Sequence, residues 1–289
     1  MSGNDTKRGI LLMSLTMLIF ASQDGISRYL AGEYNVMMVV MIRYWFFAAF
    51  VLTVSAKRAG SIANAARTQQ PLLQIFRGVL LALEVCILVA AFTLLGLIES
   101  MAIFISYPLI VAALSGPILG EQVGLYRWTA IGIGFIGVLI ILQPGGGVFS
   151  PYALLAVVSA LMFALYTLLT RYAARKDTAA TSFFWTGLAG AAAITVIGVW
   201  FWEPMAAGDW LWMLALCVSG ASGHYLLIKT YEVAEASAVQ PFAYLQLVFV
   251  SVIGLFVFGE DLRINVVIGA GLVISAGVFA LWRARRATA

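Results

Sequence analysis

From the amino end onward, the chain is a succession of apolar runs, each long enough to cross a bilayer and set off from the next by a short polar seam. Hydrocarbon offers no water to an unpaired amide or carbonyl, so a run of about 20 apolar residues must be a helix that bonds its own backbone. Ten such helices are predicted, over 9–31, 36–56, 71–94, 97–119, 127–143, 151–173, 181–202, 210–231, 237–259 and 264–283. Hydrophobic residues fill 63% of the 289 positions and charged residues 10%, against about 25% charged in an average soluble domain. That much apolar surface excludes a water-soluble fold. The first run carries Gln23, Asp24 and Arg28 in its second half, unlike a cleaved signal peptide, and is predicted to stay as a span.

The net charge of +4 is an orientation signal and does not indicate a nucleic-acid partner. With ten spans both termini lie on one side. Placing that side in the cytoplasm gives it Lys7, Arg8, Lys57, Arg58, Arg171, Arg175, Lys176, Arg283, Arg285 and Arg286 among others, while the opposite loops carry Glu33, Glu99, Glu203, Asp209 and Asp261, as the positive-inside rule requires. Cys86 and Cys217 sit inside apolar runs, so neither a metal site nor a redox pair is indicated, and no cofactor is expected. Lipid-facing and partner-facing surfaces are alike in composition, so the oligomeric state is left open.

The chain also repeats itself. Phe20-Ala21 followed by Ser27-Arg28-Tyr29 recurs as Phe163-Ala164 followed by Thr170-Arg171-Tyr172, and Gly120-Glu121 recurs as Gly259-Glu260. The expected organisation is a cytoplasmic N-terminus (1–8), a five-helix unit (9–143), a Pro/Gly linker (144–150), a second five-helix unit (151–283) and a cytoplasmic C-terminus (284–289). Five spans per unit force the second copy to enter the membrane from the opposite face. This predicts an all-α integral membrane protein, two inverted five-helix repeats around a central cavity.

Several stretches carry a family resemblance: Arg77-Gly78 through Pro144, with Ser106-Tyr107-Pro108, Leu119-Gly120-Glu121 and Gly132 to Gly137 within it, and Phe258-Gly259-Glu260 with Gly269 to Gly277 in the second half. On these the chain resembles the ten-span EamA-type members of the drug/metabolite transporter superfamily. Leu247 stands where Pro108 would predict a second proline, and Pro241 is the candidate to take over that kink. Within the superfamily the sequence looks most like the bacterial exporters of aromatic amino acids. That resemblance implies export of aromatic and other neutral amino acids across the bacterial inner membrane by alternating access, or of drugs or other metabolites.

A charge at bilayer depth needs a partner, a wet cavity or a task. Asp24 and Arg28 share a helix face, and Arg43 lies at similar depth in the next span. They are either a structural ion pair between two spans or docking charges for a substrate's carboxylate or ammonium. Glu84 and His224 fall near the middle of equivalent helices, where a buried carboxylate and a histidine are candidates for proton coupling or else neutral packing groups. Tyr107, Trp185, Tyr244 and Gln246 are candidate cavity-lining residues for an amphipathic ligand, with Pro108 and Pro241 as kinks. Trp200, Trp202, Trp210 and Trp212 read as an interfacial belt. Gly132, Gly134 and Gly137 imitate a dinucleotide fingerprint but lack a strand before them, so helix packing is expected. An intramembrane enzyme using Glu84 and His224 is disfavoured, because neither an HExxH nor a Gly-x-Ser-x-Gly pattern is present.

Overall fold

The structure, a computed structural model, describes residues 6–59, 61–120, 124–143, 150–234 and 239–288. Its helices are α1 (Thr6–Glu33), α2 (Val36–Ala59), the short α3 (Ile62–Ala66), α4 (Pro71–Leu94), α5 (Leu97–Phe104), α6 (Tyr107–Leu119), α7 (Leu125–Leu142), α8 (Ala153–Ala173), α9 (Ala179–Gly198), α10 (Asp209–Val233), α11 (Leu245–Val257) and α12 (Ile264–Thr288). No strand occurs among the described residues. Six stretches are long and apolar enough to cross a membrane: Lys7–Glu33, Val36–Val54, Pro71–Leu94, Leu97–Leu119, Ala153–Ala173 and Ala180–Phe201. Trp128–Leu142, Phe242–Val257 and Ile264–Ala280 are shorter apolar helices. Apart from Ser150, the predicted linker over 144–150 lies outside the described residues, as does Glu121.

Two of the predicted continuous helices are interrupted. α5 stops at Phe104, Ile105 and Ser106 form a turn, and α6 begins with Pro108 in its first turn. Proline has no amide to leave unbonded there, and its fixed φ suits a helix start. Pro108 therefore opens the second half of a broken helix, where the sequence reading had it kinking a continuous one. In the other half, Pro241 sits in the first turn of a 3-10 segment, Gln240–Tyr244, that leads into α11.

Small residues decide which helices touch. A Cβ on Gly137 would lie 2.6 Å from the carbonyl oxygen of Gly269, and one on Gly269 would lie 2.5 Å from that of Gly137. α7 and α12 thus meet main chain to main chain, and Asn265 ties the seam by donating to the Ile141 carbonyl at 3.1 Å. At Gly134 a Cβ would overlap the Leu109 side chain, so the imitation fingerprint serves packing at Gly134 and Gly137. Gly78 brings α4 against α9, with the Trp185 carbonyl 2.9 Å from where a Cβ would stand. Elsewhere α1 packs on α10 and α11, and α8 packs on α4, α5 and α6. Lipid tails are as apolar as leucine, so close van der Waals approach and interhelical hydrogen bonds hold such helices together.

Candidate functional site

A cavity of about 620 Å³ opens inside the bundle, walled by α1, α2, α4, α5, α6 and α8 to α12. Asp24, Arg43, Glu84, Tyr107, Pro108, His224, Tyr244 and Gln246 all line it. Trp185 does not; its indole N–H donates to the Ala66 carbonyl at 3.0 Å. Toward one end the walls reach Met13 and Met17 in the first half of α1, Arg171 near the end of α8 and Ala280 near the end of α12.

The polar groups sit deeper. The amide of Gln246 donates to Asp24 at 2.7 Å, and the hydroxyl of Ser159 donates to Glu84 at 2.5 Å. Arg43 makes no ion pair among the described residues. The sequence offered Arg28 as a partner for Asp24, but Arg28 points away and pairs with Glu260, its guanidinium 4.0 Å over the Phe258 ring. Glu260 also accepts the backbone N–H groups of Leu97 at 2.6 Å and Ile98 at 2.9 Å. A carboxylate on the orphan amides of a helix start is favoured by the helix dipole and by hydrogen bonding together. Gly259, at φ +64°, turns the chain to bring it there, and Gly96, at φ +109°, starts α5 beneath it.

This contact lies beyond the cavity, at the end where α1 finishes and α12 begins. Tyr29 and Tyr34 donate to Asp209 there at 3.0 and 2.7 Å, and Arg263 pairs with Glu99. Trp200, Trp202, Trp210 and Trp212 are exposed around the same end. At the opposite end Asp177, in the loop after α8, accepts from Thr68 at 2.6 Å, Gln74 at 2.8 Å and the Gln69 amide at 2.9 Å. Partial burial pushes its carboxyl up, but these hydrogen bonds outweigh burial and hold it below the usual carboxylate range.

Aromatic rings form two clusters in the wall, one on α5, α6 and α8 and the other on α1, α2, α9 and α10. Phe163 is the centre of one, 4.7 Å from Tyr107, 5.3 Å from Phe104 and 6.0 Å from Tyr166 between ring centroids. His224 is the centre of the other, 5.3 Å from Phe20, 6.3 Å from Phe47 and 6.4 Å from Phe183. Neither cluster is legible as such in the sequence. The recurrence of Phe20-Ala21 as Phe163-Ala164 was its available signal, since each phenylalanine of that pair belongs to one cluster. Ser159 and Glu260 carried no signal of their roles, because their partners are remote in sequence.

Long apolar helices around a cavity that is partly polar and partly aromatic define a multi-pass membrane protein built to hold a small solute between its helices. Residues 7–143 and again 150–282 match the EamA-like transporter family, and the chain belongs to that family. It is a transporter and not an enzyme. It is 24% identical over 278 residues to an S-adenosylmethionine uptake transporter of Rickettsia prowazekii, covering 96% of this chain and 94% of that one. A riboflavin transporter of Rhizobium johnstonii is 30% identical over 281 residues, covering 94% and 90%, and one of Vibrio cholerae is 27% identical over 276 residues, covering 94% and 92%. A solved crystal structure shares the fold at a TM-score of 0.65 and 18% identity, over 98% of this chain and 99% of that one. None of these relatives is named for an aromatic amino acid, so the expected export of such amino acids has no support from them.

Proposed function

We propose that the chain is a secondary transporter of the bacterial inner membrane that carries a planar heteroaromatic metabolite with a polar head, of the size and character of S-adenosylmethionine or riboflavin. The observation that carries this reading is the two-part lining of the cavity. Two aromatic clusters offer faces for a heterocycle, and Gln23, Asp24, Arg43 and Gln246 offer donors and acceptors for the head. A volume of about 620 Å³ suits a ligand of that size.

Ten spans in two inverted five-helix repeats, with both termini in the cytoplasm, form the framework of this reading. The double family match and the packing of α1 on α10 against that of α8 on α4 support it, because an inverted duplication maps one contact onto the other. In that orientation the cavity faces the cytoplasm, and the contacts of Glu260, Asp209 and Glu99 hold the outer end shut. Transport then exchanges this state for one open to the other side, driven by a solute or proton gradient, with Glu84 and His224 as the groups for proton coupling.

The test is counterflow in liposomes holding purified protein and unlabelled solute, with labelled S-adenosylmethionine, riboflavin and phenylalanine added in turn outside. Accumulation of S-adenosylmethionine or riboflavin above empty liposomes is the expected result. Accumulation of phenylalanine alone would refute the reading.

A further inference from the structure

Within that transport reading, one part of the cavity carries a sharper assignment. Gln23 is 6% exposed, lines the cavity, and its side-chain oxygen has no hydrogen-bond partner among the described residues. A buried acceptor without a donor is a standing penalty, and native structures rarely keep one without a use. The other glutamine of the cavity, Gln246, is engaged by Asp24. Across from Gln23, α10 presents Gly220. A Cβ there would stand 3.1 Å from the Gln23 oxygen and 3.9 Å from Nε of Arg43. The space over Gly220 is therefore bounded on one side by an unpaired acceptor and on another by a guanidinium that makes no ion pair, and glycine is what keeps it open.

We propose that the space over Gly220 is the head-group subsite, and that it selects ligands presenting an N–H donor beside a carbonyl or carboxylate oxygen. Gln23 takes the donor. Arg43 takes the oxygen, which its fork of N–H groups recognises in either a charged or a neutral form. Two sources carry this chemistry. The amino-acid head of S-adenosylmethionine sets an ammonium beside a carboxylate, and the riboflavin ring sets an imide N–H between two carbonyls. Gly220 acts as a specificity determinant, because a methyl group at that position would press on the Gln23 oxygen and project into the space beside Arg43.

The experiment measures competition for uptake of the transported solute into proteoliposomes. Riboflavin is compared with 3-methylriboflavin, in which a methyl group replaces the imide hydrogen, and S-adenosylmethionine with its deamino analogue, which has lost the ammonium, so that each analogue is without the donor meant for Gln23. For whichever parent is carried, the masked analogue should compete about tenfold more weakly with the wild-type protein, since a site built around a hydrogen bond rejects the ligand that lacks it. Gln23→Leu should bring parent and analogue within about twofold of each other, since the acceptor that told them apart is gone. Gln23→Glu keeps an acceptor and should keep the preference. Gly220→Ala should weaken parent binding about tenfold by crowding the subsite. Equal competition by parent and analogue in the wild-type protein overturns the subsite without any variant having to fold, and so does a preference that survives in Gln23→Leu. Should neither parent be carried, the transport reading fails first and takes the subsite with it.

Discussion

Glu260 serves two partners at once, and substitution separates them. Glu260→Gln removes the charge that pairs with Arg28 and leaves a neutral amide oxygen facing the Leu97 and Ile98 N–H groups, which lie 2.6 and 2.9 Å from the carboxylate. Hydrogen bonds to a charged acceptor are worth about 1.5–3 kcal/mol each, and neutral ones about 1. An amide oxygen can keep one of the two bonds, in its weaker form. The Arg28 pair, with side chains 18% and 13% exposed, adds about 1 kcal/mol or less after screening. The substitution should therefore destabilise by about 2–6 kcal/mol. Arg28→Gln leaves both backbone contacts intact and should lose about 1 kcal/mol. In one detergent at one scan rate, with about 2–4 °C per kcal/mol for a chain of this size, thermal unfolding should fall roughly 12 °C for Glu260→Gln and roughly 3 °C for Arg28→Gln. Losses of equal size in the two variants would show that the ion pair, and not the helix cap, is the main contribution, and the reasoning would be refuted.

Gly78→Val should abolish folded protein, seen as loss of the monodisperse peak in gel filtration, because its side chain would meet the Trp185 main chain. Gly132→Ala, where a Cβ meets nothing within 4 Å, should elute as wild type does. Asp177 has a depressed folded pKa, so its stabilisation is complete above the unfolded carboxylate value of about 3.9 and is lost as pH falls through the lower folded value. Asp177→Asn should therefore lower the unfolding temperature near neutrality and flatten its fall below about pH 4, as measured across a buffer series. Glu84→Gln and His224→Asn, assayed under imposed pH gradients, should each remove the response of uptake to the gradient. A response kept in full by both variants would rule out proton coupling through them.

The helical class and the charged and titratable groups of the cavity wall could be read from sequence because both follow from solvent. Apolar runs have no alternative to helix in lipid, and Asp24, Arg43, Glu84 and His224 stand out as the wrong residues for that medium. The break before Pro108 was half visible. Proline announced a disturbance, but whether it bends a helix or starts a new one depends on the turn at Ile105 and Ser106, which composition does not reveal. The partner of Arg28 was misjudged because spacing along one helix favoured Asp24, whereas Glu260 arrives from the loop between α11 and α12, more than two hundred residues away in sequence. Trp185 was misjudged for a similar reason, since an aromatic residue in a span looks the same whether it faces a cavity or a loop carbonyl. Gln23 and Gly220 acquire meaning only together, once α1 and α10 are side by side.

Where α7 and α12 touch, glycine on each side leaves no slack for a side chain of any size. Hybrid proteins that join the segment before residue 144 from one relative to the segment after residue 149 from another should consequently assemble only when both donors keep glycine at the positions of Gly137 and Gly269. Shuffling of solute preferences between such relatives is then governed by two residues that no cargo ever meets.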